Sequence, residues 1–323
     1  MRIYVKTPAR LHMGLIDLRG DLGRVFGGIG VGIDHPNVVL EVQPCEKLSI
    51  TGEKTILVKS LVERFIKTYS INGNFSVHVK EVIPEHVGLG SVTQLALALA
   101  VALAKLFDIK ASIRELAASM GRGLRSGIGV AVFEGGGFIV DGGRTLNVDS
   151  SVPGRVPPVI FRQPFPEDWV LIIAIPNNMR GLTEDEEKIA FKNLPPMPAE
   201  DIGRICRLIV MKLLPSLMEH DIEGFGYALT NIQIIVGDYF AKVQGGRYCN
   251  PLVTEGIELL QKLGAYGVGQ SSWGPTFYGV FKDGEWVRGV QRRMQIFLEE
   301  RGGGKVFITR ANNRGAYIKI YEN

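Results

Sequence analysis

Pro84–Gln94 reads Pro-Glu-His-Val-Gly-Leu-Gly-Ser-Val-Thr-Gln and runs directly into the apolar segment Leu95–Leu103. Gly88 and Gly90 allow the backbone to turn tightly and to approach a ligand closely. The composition of the apolar segment predicts a buried helix. Because the N-terminus of a helix offers free N–H groups and the positive end of the helix dipole, the stretch predicts a phosphate-binding loop.

The residue types in this stretch also predict how the loop is built. Ser91 and Thr93 are expected to cap the helix. The P-loop pattern is excluded, because no Gly-Lys-Ser or Gly-Lys-Thr follows the glycines. The residues expected to contact phosphate are His86, Gly88, Leu89, Gly90, Ser91 and Thr93. The alternative is a capped core helix after a turn, without a ligand.

The length of 323 residues predicts two domains, which we place at residues 1–155 and 165–323. Strand and helix patterns are mixed in both halves, so the fold class is α+β. In the first half, residues 18–32 are expected to form a glycine-rich loop. Residues 128–133 and 138–141 are expected to form a strand pair. In the second half, the continuous apolar run at 169–175 is typical of a buried strand.

The net charge and the cysteine content indicate which class of partner and which cellular compartment to expect. The net charge of +4, without a run of Lys or Arg, indicates small anionic molecules rather than nucleic acid. Three widely separated cysteines have no zinc or redox spacing, which favours a reducing cytoplasm. The N-terminus lacks a signal-peptide core, and the segment at Leu95 is too short to span a bilayer. We therefore expect a cytoplasmic protein without a membrane partner.

A second group of polar residues lies near the N-terminus. Arg10 and His12 are one residue apart, so on a strand their side chains share a face. That face would present a guanidinium and an imidazole to an anionic substrate. Asp17 and Arg24 follow in the same glycine-containing segment and are further candidates. The alternative is a solvated strand end with surface ion pairs.

Residues 121–129 form a glycine-rich segment with two arginines, Gly-Arg-Gly-Leu-Arg-Ser-Gly-Ile-Gly. Arg122 and Arg125, with backbone N–H groups around Ser126 and Gly127, would hold a second anionic group. The alternative, equally favoured by this segment alone, is a turn that uses its glycines for positive φ and leaves its arginines in water.

Residues 267–276 form a third small-residue loop, Gly-Val-Gly-Gln-Ser-Ser-Trp-Gly-Pro-Thr. Trp273 would stack on an aromatic ring. Gln270, Ser271 and Ser272 would fix that ring by hydrogen bonds. The alternative is a turn around a core tryptophan.

In this order along the chain, the three segments resemble the three motifs of the GHMP small-molecule kinases, and the match spans almost the whole sequence. Two departures stand out. Kinases usually read Ser-Ser-Ala after the Gly-Leu-Gly, whereas this chain reads Ser-Val-Thr at 91–93. Many kinases also carry a catalytic aspartate soon after the Ser-Gly of the middle loop, whereas residues 128–131 read Ile-Gly-Val-Ala. A kinase without its base would activate a hydroxyl poorly.

With these departures the chain resembles the archaeal β-ribofuranosylaminobenzene 5′-phosphate synthase family. The segments that carry the resemblance are Arg10–Asp17, His86–Ser91, Arg125–Gly129, Phe133–Phe138 and Gly269–Pro275. The resemblance implies a two-domain GHMP-kinase-like fold, with a ribosomal-protein-S5-like N-terminal domain and a ferredoxin-like C-terminal domain. It also implies the first committed step of methanopterin biosynthesis. In that step phosphoribosyl pyrophosphate condenses with 4-aminobenzoate or 4-hydroxybenzoate, carbon dioxide and pyrophosphate leave, and a C–C glycoside forms.

The resemblance further implies roles for the candidate residues. Gly88–Ser91 would hold the pyrophosphate or the 5′-phosphate, and Mg²⁺ would neutralise the leaving group. Arg10 or Arg125 would meet the benzoate carboxylate, and Trp273 would stack on its ring. His12 and Asp17 would orient substrate or handle protons. The other substrate-binding candidates are Arg24, Arg122, Ser126, Gly127, Gln270, Ser271 and Ser272.

A homodimer is expected from the same resemblance. Two other functions remain open at this point. One is an ATP-dependent GHMP kinase whose base comes from elsewhere in the chain. The other is a non-catalytic nucleotide sensor on the same fold, which would bind a ligand without turnover.

Overall fold

The computed structural model describes residues 1–146 and 155–322, which fold into two β-sheets and the helices packed on them. The strands are β1 Arg2–Asp17, β2 Arg24–Pro44, β3 Ser49–Gly52, β4 Phe75–Glu81, β5 Phe138–Asp141, β6 Arg144–Thr145, β7 Val159–Gln163, β8 Trp169–Pro176, β9 Gly267–Gln270, β10 Phe277–Lys282, β11 Gly304–Arg310 and β12 Tyr317–Tyr321.

The helices differ widely in length, and α6 continues through a π-helical turn, Ile209–Leu213, into α7. The helices are α1 Thr55–Tyr69, α2 Ser91–Leu106, α3 Ile113–Ser119, α4 Ile128–Gly135, α5 Glu184–Asn193, α6 Ala199–Leu208, α7 Leu214–Met218, α8 Ile222–Gln244, α9 Pro251–Lys262 and α10 Val287–Glu299. None of these helices combines the length and the apolar character that a membrane span requires.

The first sheet is organised around the long antiparallel pair β1–β2. Its strand order is β12-β1-β2-β4-β3, and β5 and β6 also pair with β2. The register places His12 opposite Gly30, with an irregularity directly after His12. On the other side of β2, Gly28 lies opposite Asp141 of β5. Three neighbouring strands therefore bring His12, Gly28 and Asp141 close together.

The expectation of a loop at residues 18–32 is wrong from Arg24 onward, because β2 begins there. The glycines of this segment alternate with fully buried apolar residues, which gives the period of a strand. These apolar residues are Ile29, Val31 and Ile33. Packing explains why the alternating residues are glycines, since a Cβ on Gly30 would lie 2.6 Å from Cγ2 of Ile128.

The predicted strand at residues 128–133 is a helix, α4, whereas the strand predicted at 138–141 is confirmed as β5. Ile128–Phe133 is buried throughout. A run that is buried on every side has no alternation, so its periodicity cannot distinguish a strand from a helix. As a helix that begins directly after Gly127, α4 packs on β1, β2 and α2.

The second sheet has the strand order β11-β8-β10-β9. Numbered by themselves along the chain, its strands follow the order 4-1-3-2 of a ferredoxin-like sheet. Helix α8 packs on β9, α9 on β10 and α10 on β11. All eight residues of β8 are buried, which confirms the buried strand predicted at 169–175.

The end of the chain returns to the first sheet. β12 pairs antiparallel with β1, and Tyr317 lies opposite Lys6. The division into residues 1–155 and 165–323 assigns this strand to the second domain, whereas its pairing places it in the first sheet. The local pattern of the strand is the same in either place, so only tertiary pairing decides where it lies.

Helix α2 is the buried helix predicted after the glycine loop. Every residue from Gln94 to Ala104 is buried, and the helix packs on both β1 and β2. A helix held in the core on all sides has a fixed N-terminus. The loop before it is therefore presented at a defined position against β1.

Helix α8 approaches the second sheet closely at Gly226, where a Cβ would lie 2.1 Å from the carbonyl oxygen of Tyr266, directly before β9, and 2.7 Å from the nitrogen of Gly267. We expect Gly226→Ala to lower the free energy of unfolding by about 2–3 kcal/mol, because α8 would have to move away from β9. Urea unfolding measures the change.

Gly289→Ala in α10 is the matched control, since within the described residues a Cβ there would meet no atom closer than 4 Å. Alanine favours helix over glycine by about 0.8–1 kcal/mol, so this variant should be unchanged or more stable. Equal unfolding midpoints for the two variants would contradict the packing described here.

Candidate functional site

The three motif segments meet at the backbone of the 84–94 loop. The backbone N–H of Arg10 donates to the carbonyl oxygen of Leu89 at 3.1 Å. The hydroxyl of Ser271 donates to the carbonyl oxygen of Gly88 at 2.6 Å and accepts from the backbone N–H of His12 at 3.0 Å. Segments far apart in sequence therefore build one site.

Glycine is required at two positions of this loop. Gly88 has φ +91°, and a Cβ there would lie 2.1 Å from the carbonyl oxygen of Ser271. Gly90 has φ +78°, and a Cβ there would lie 2.9 Å from Cγ of Arg10. Any side chain at either position would force the neighbouring segment away.

The predicted capping of α2 by Ser91 and Thr93 is wrong. The N-cap is Gly90, which is left-handed and has no side chain to accept a hydrogen bond, whereas a side-chain cap needs an extended residue there. Thr93 instead accepts from Nε of Arg122 at 3.3 Å. The first N–H groups of a helix have no partner within the helix, so those of α2 suit an anion. His86 is exposed, and its carbonyl oxygen accepts from Gly181 N–H at 2.5 Å.

Arg10 lies beside this helix N-terminus and donates to the carbonyl oxygen of Gly88. Burial lowers its pKa to about 10; Glu187 acts in the opposite direction, and Arg122 lowers it further. The guanidinium is therefore still a cation at neutral pH. One acidic side chain, Glu187, and one basic side chain, Arg122, therefore lie near this guanidinium.

Arg125 joins this group through an ion pair with Glu187 of α5, and its guanidinium lies 5.1 Å from the ring centroid of Phe191. We call Arg10, Arg122 and Arg125 the arginine cluster. Thr183 and Glu186 form a capping box at the start of α5. The sequence contains no signal that the next residue, Glu187, would face the arginine cluster.

Asp141, at the end of β5, is a site residue that sequence reasoning missed. It is fully buried and accepts from the hydroxyl of Ser126 at 3.1 Å, from Gly127 N–H at 2.9 Å and from Gly143 N–H at 2.9 Å. Burial raises its pKa, and these hydrogen bonds oppose the rise. The only local signal is an aspartate between an apolar run and Gly142-Gly143. Its partners in the middle loop follow from the tertiary fold alone.

His12 approaches Asp141 across Gly28. A Cβ on Gly28 would lie 3.0 Å from Nε2 of His12 and 3.5 Å from Oδ2 of Asp141. Burial, reinforced by the positive charge of Arg10, lowers the pKa of His12 to about 3. The imidazole is therefore neutral at physiological pH. The neutral imidazole can form a hydrogen bond with a substrate, and it carries no positive charge that would attract an anion away from the arginine cluster.

Asp17 and Arg24 stabilise turns. Asp17 accepts from Arg19 N–H at 2.8 Å and from Gly20 N–H at 2.9 Å. It lies five residues beyond His12 on β1, about 16 Å at the usual strand rise. Arg24 donates to the carbonyl oxygens of Gly142 and Gly143 and to Thr145, and so holds the turn after Asp141. Asp17 thus lies apart from the arginine cluster. Arg24 contributes indirectly, because it stabilises the turn that follows Asp141.

The third loop, residues 267–276, is held in place by hydrogen bonds and by aromatic packing. Gln270 accepts from Cys249 N–H at 2.8 Å and donates to the carbonyl oxygen of Ser272 at 2.9 Å. Ser272 N–H donates to the carbonyl oxygen of His12 at 3.3 Å. Trp273 is only 8% exposed and packs on Phe240, with ring centroids 4.4 Å apart. The indole is thus a core residue, the alternative that the sequence left open, because the aromatic side chains of α5 and α8 enclose it.

His12 makes the stability of the fold depend on pH. The unfolded chain protonates this histidine near its ordinary pKa of 6.5, whereas the folded chain does so only near 3. Stability is therefore lost as the pH falls between these values. Between about pH 7.5 and about pH 4, we expect the free energy of unfolding of His12→Asn to fall by about 3 kcal/mol less than that of the wild type.

Urea unfolding at both pH values measures this difference. His78→Asn, at an exposed position of β4, is the control and should keep the acid sensitivity of the wild type. An acid sensitivity of His12→Asn equal to that of the wild type would show that the imidazole is not buried and neutral.

Known proteins resemble this chain at the level of domains and of folds. The family GHMP kinases N terminal domain matches residues 56–137, and the family GHMP kinases C terminal matches residues 213–300. Homoserine kinase from Cytophaga hutchinsonii superposes with a TM-score of 0.69 at 18% identity, covering 98% of this chain and 97% of its own. Galactokinase from Lactococcus lactis superposes with a TM-score of 0.70 at 15% identity, covering 98% of this chain and 95% of its own. The two superpositions establish the fold.

Two archaeal relatives are much more similar in sequence. The β-ribofuranosylphenol 5′-phosphate synthase of Methanothermobacter thermautotrophicus is 35% identical over 98% of this chain and 99% of its own. The protein of the same name from Archaeoglobus fulgidus is 34% identical over 98% of this chain and 100% of its own. The chain therefore belongs to the β-ribofuranosylphenol 5′-phosphate synthase family and has the two-domain fold of the GHMP kinases.

Proposed function

We propose that this chain catalyses the synthase reaction of its family in methanopterin biosynthesis. Phosphoribosyl pyrophosphate and a para-substituted benzoate would give a C–C glycoside, carbon dioxide and pyrophosphate. The observation that carries the proposal is full-length identity of about 35% to proteins of that name. The arginine cluster beside a glycine-capped helix N-terminus supports it, because both substrates are anions.

The acceptor in this proposal is 4-hydroxybenzoate. The motifs left 4-aminobenzoate and 4-hydroxybenzoate as alternatives. The printed name of the relatives describes a ribofuranosylphenol, and a phenol product corresponds to an acceptor with a para hydroxyl. We transfer that preference to this chain as a proposal.

The proposed chemistry balances without an added oxidant or reductant. The bond from the ribose C1 to the pyrophosphate oxygen breaks, and the electron pair leaves with pyrophosphate. The ring carbon that bears the carboxylate forms the new bond to C1. Loss of carbon dioxide then returns the electron pair of the C–C bond to the ring. The protein would supply charge for the leaving group and a fixed position for the ring.

The arginine cluster and the N-terminus of α2 would hold the diphosphate. Arg10 contacts the loop before the helix at the carbonyl oxygen of Gly88, and Arg122 contacts Thr93 in the first turn of α2. Glu187 is the carboxylate that an incoming anion would replace on Arg125. Within the described residues, no group of three or more His, Cys, Asp or Glu side chains can hold a metal ion. We propose that Mg²⁺ would enter on the diphosphate oxygens, because Mg²⁺ is usually held by substrate phosphates with one or two carboxylates; no step here depends on it.

A homodimer in the cytoplasm is the proposed state of the protein. The three cysteines are free, which suits a reducing compartment.

The ATP-dependent kinase remains the second candidate, because both GHMP kinase domain families match. It would need a base for the substrate hydroxyl. Gly129 lies in the first turn of α4, shortly after Ser126 and Gly127, where many kinases carry an aspartate. A Cβ there would lie 3.2 Å from Cγ2 of Thr93. Any side chain at this position would require Thr93 to move by a few tenths of an ångström, which disfavours a catalytic acid there.

A paired assay distinguishes the two activities. With phosphoribosyl pyrophosphate, Mg²⁺ and carboxyl-labelled 4-hydroxybenzoate, we expect labelled carbon dioxide and pyrophosphate in equal amounts. With ATP and a pool of small alcohols, we expect ADP at the background rate. ADP without carbon dioxide would establish the kinase, and ligand binding without either product would establish the sensor.

Binding of pyrophosphate tests the arginine cluster separately from catalysis. We expect Arg125→Ala to weaken binding by about 1.5–3 kcal/mol, or roughly 10- to 150-fold, because a charged hydrogen bond is lost. Glu187→Gln should tighten binding, because it removes the competing carboxylate. Isothermal titration calorimetry measures both changes.

Arg292→Ala, at an exposed position of α10, is the matched control and should bind like the wild type. An unchanged dissociation constant for Arg125→Ala would remove Arg125 from the anion site.

A further inference from the structure

The hydrogen bonds around Asp141 determine what its neighbour Ser126 can bind. Asp141 accepts three hydrogen bonds, two of them from the backbone N–H groups of Gly127 and Gly143. A backbone N–H can only donate, and one reaches each carboxylate oxygen. This set of donors suits the ionised carboxylate. The third donor is therefore the hydroxyl of Ser126.

A serine hydroxyl has one hydrogen and two lone pairs. In Ser126 the hydrogen is directed to Asp141 at 3.1 Å, and one lone pair accepts from the backbone N–H of Ile128 at 3.3 Å. One lone pair is left, and the residue is only half-buried. The remaining capacity of Ser126 is that of an acceptor. It cannot donate to a phosphate or carboxylate oxygen while Asp141 holds its hydrogen.

The surroundings of Ser126 favour a neutral donor over an anion. Across Gly28 from Asp141 lies the imidazole of His12, which is buried. The missing side chain of Gly28 keeps the space between these two groups clear. The cations of the site are instead grouped with Glu187 and with the N-terminus of α2. The site therefore has an anion-binding part and a part that accepts hydrogen bonds.

We propose that Ser126 is the specificity-determining acceptor for a hydroxyl group of the substrate, and that Asp141 is the positioning residue that fixes this polarity. The inference rests on the proposed synthase function for the identity of the substrates. Both carry hydroxyl donors: 4-hydroxybenzoate at the para position and phosphoribosyl pyrophosphate on its ribose. It revises the expectation that Ser126 helps to hold a second anionic group.

The test compares Ser126→Ala with the wild type in three measurements. These are the dissociation constant for pyrophosphate, the KM of each substrate, and the ratio of 4-fluorobenzoate to 4-hydroxybenzoate dissociation constants. Fluorine is close to hydroxyl in size but has no hydrogen to donate. Ser126→Ala keeps both backbone hydrogen bonds to Asp141, so it should fold normally. Ser60→Ala, at an exposed position of α1, is the control.

We expect pyrophosphate binding by Ser126→Ala to stay within about twofold of the wild type, whereas the KM of one hydroxyl-bearing substrate rises about tenfold. A rise for 4-hydroxybenzoate, with loss of the discrimination against 4-fluorobenzoate, assigns the para hydroxyl. A rise for phosphoribosyl pyrophosphate alone assigns a ribose hydroxyl. Ser126→Thr keeps the hydroxyl and should restore most of the affinity.

Asp141→Asn tests the positioning role. With its amide nitrogen in place of Oδ2, the asparagine would donate to Ser126 and free the serine hydrogen, which would reduce the same discrimination ratio. The N–H of Gly127 would lose its acceptor in that orientation, so stability is measured beside the ratio. A purely structural role for Asp141 would lower stability and leave that ratio unchanged. Two results for Ser126→Ala would overturn the proposal. One is a tenfold weakening of pyrophosphate binding. The other is an unchanged KM for both substrates together with an unchanged ratio of the 4-fluorobenzoate and 4-hydroxybenzoate dissociation constants. The two dissociation-constant measurements do not need turnover, so they test Ser126 even in a protein that fails the paired assay. Only the KM comparison depends on synthase activity.

Discussion

The carbonyl oxygen of Gly88 holds the site together. It accepts from the guanidinium of Arg10, 78 residues earlier in the chain, and from the hydroxyl of Ser271, 183 residues later. This one acceptor joins the first strand, the glycine loop and the third loop. Because α2 is buried along most of its length, the loop cannot move without losing core contacts. The position of the helix N-terminus, and hence of any bound phosphate, depends on this junction.

Glycine makes the junction possible by allowing backbones to meet where side chains would collide. A Cβ on Gly274 would lie 2.1 Å from the carbonyl oxygen of Val87, as close as the approach of Gly88 to Ser271. In β2 the same device has a different effect, because Gly28 keeps space between His12 and Asp141. Glycine therefore joins the three segments in one place and keeps their polar groups accessible in another. Substitutions at these positions should affect folding and binding together.

Local signals in the sequence predicted the buried helix α2, the glycine loop before it and the order of the three motifs. They failed where the answer depends on residues distant in sequence. Ile128–Phe133 is buried on all sides, and such a run carries no period that separates helix from strand. Trp273 is enclosed by rings from two other helices. Asp141 and Glu187 acquire their roles from partners that only the fold brings near. The placement of β12 likewise follows from pairing, not from its own pattern.

A crystal structure of the protein with bound pyrophosphate, determined with and without Mg²⁺, is the most direct measurement of the central claim. The claim is that the N-terminus of α2 and the arginine cluster form one diphosphate site. It predicts phosphate oxygens within hydrogen-bond distance of the first N–H groups of α2 and of Arg125, with Glu187 no longer paired to that arginine. Pyrophosphate bound elsewhere, with the Arg125–Glu187 ion pair intact, would contradict it.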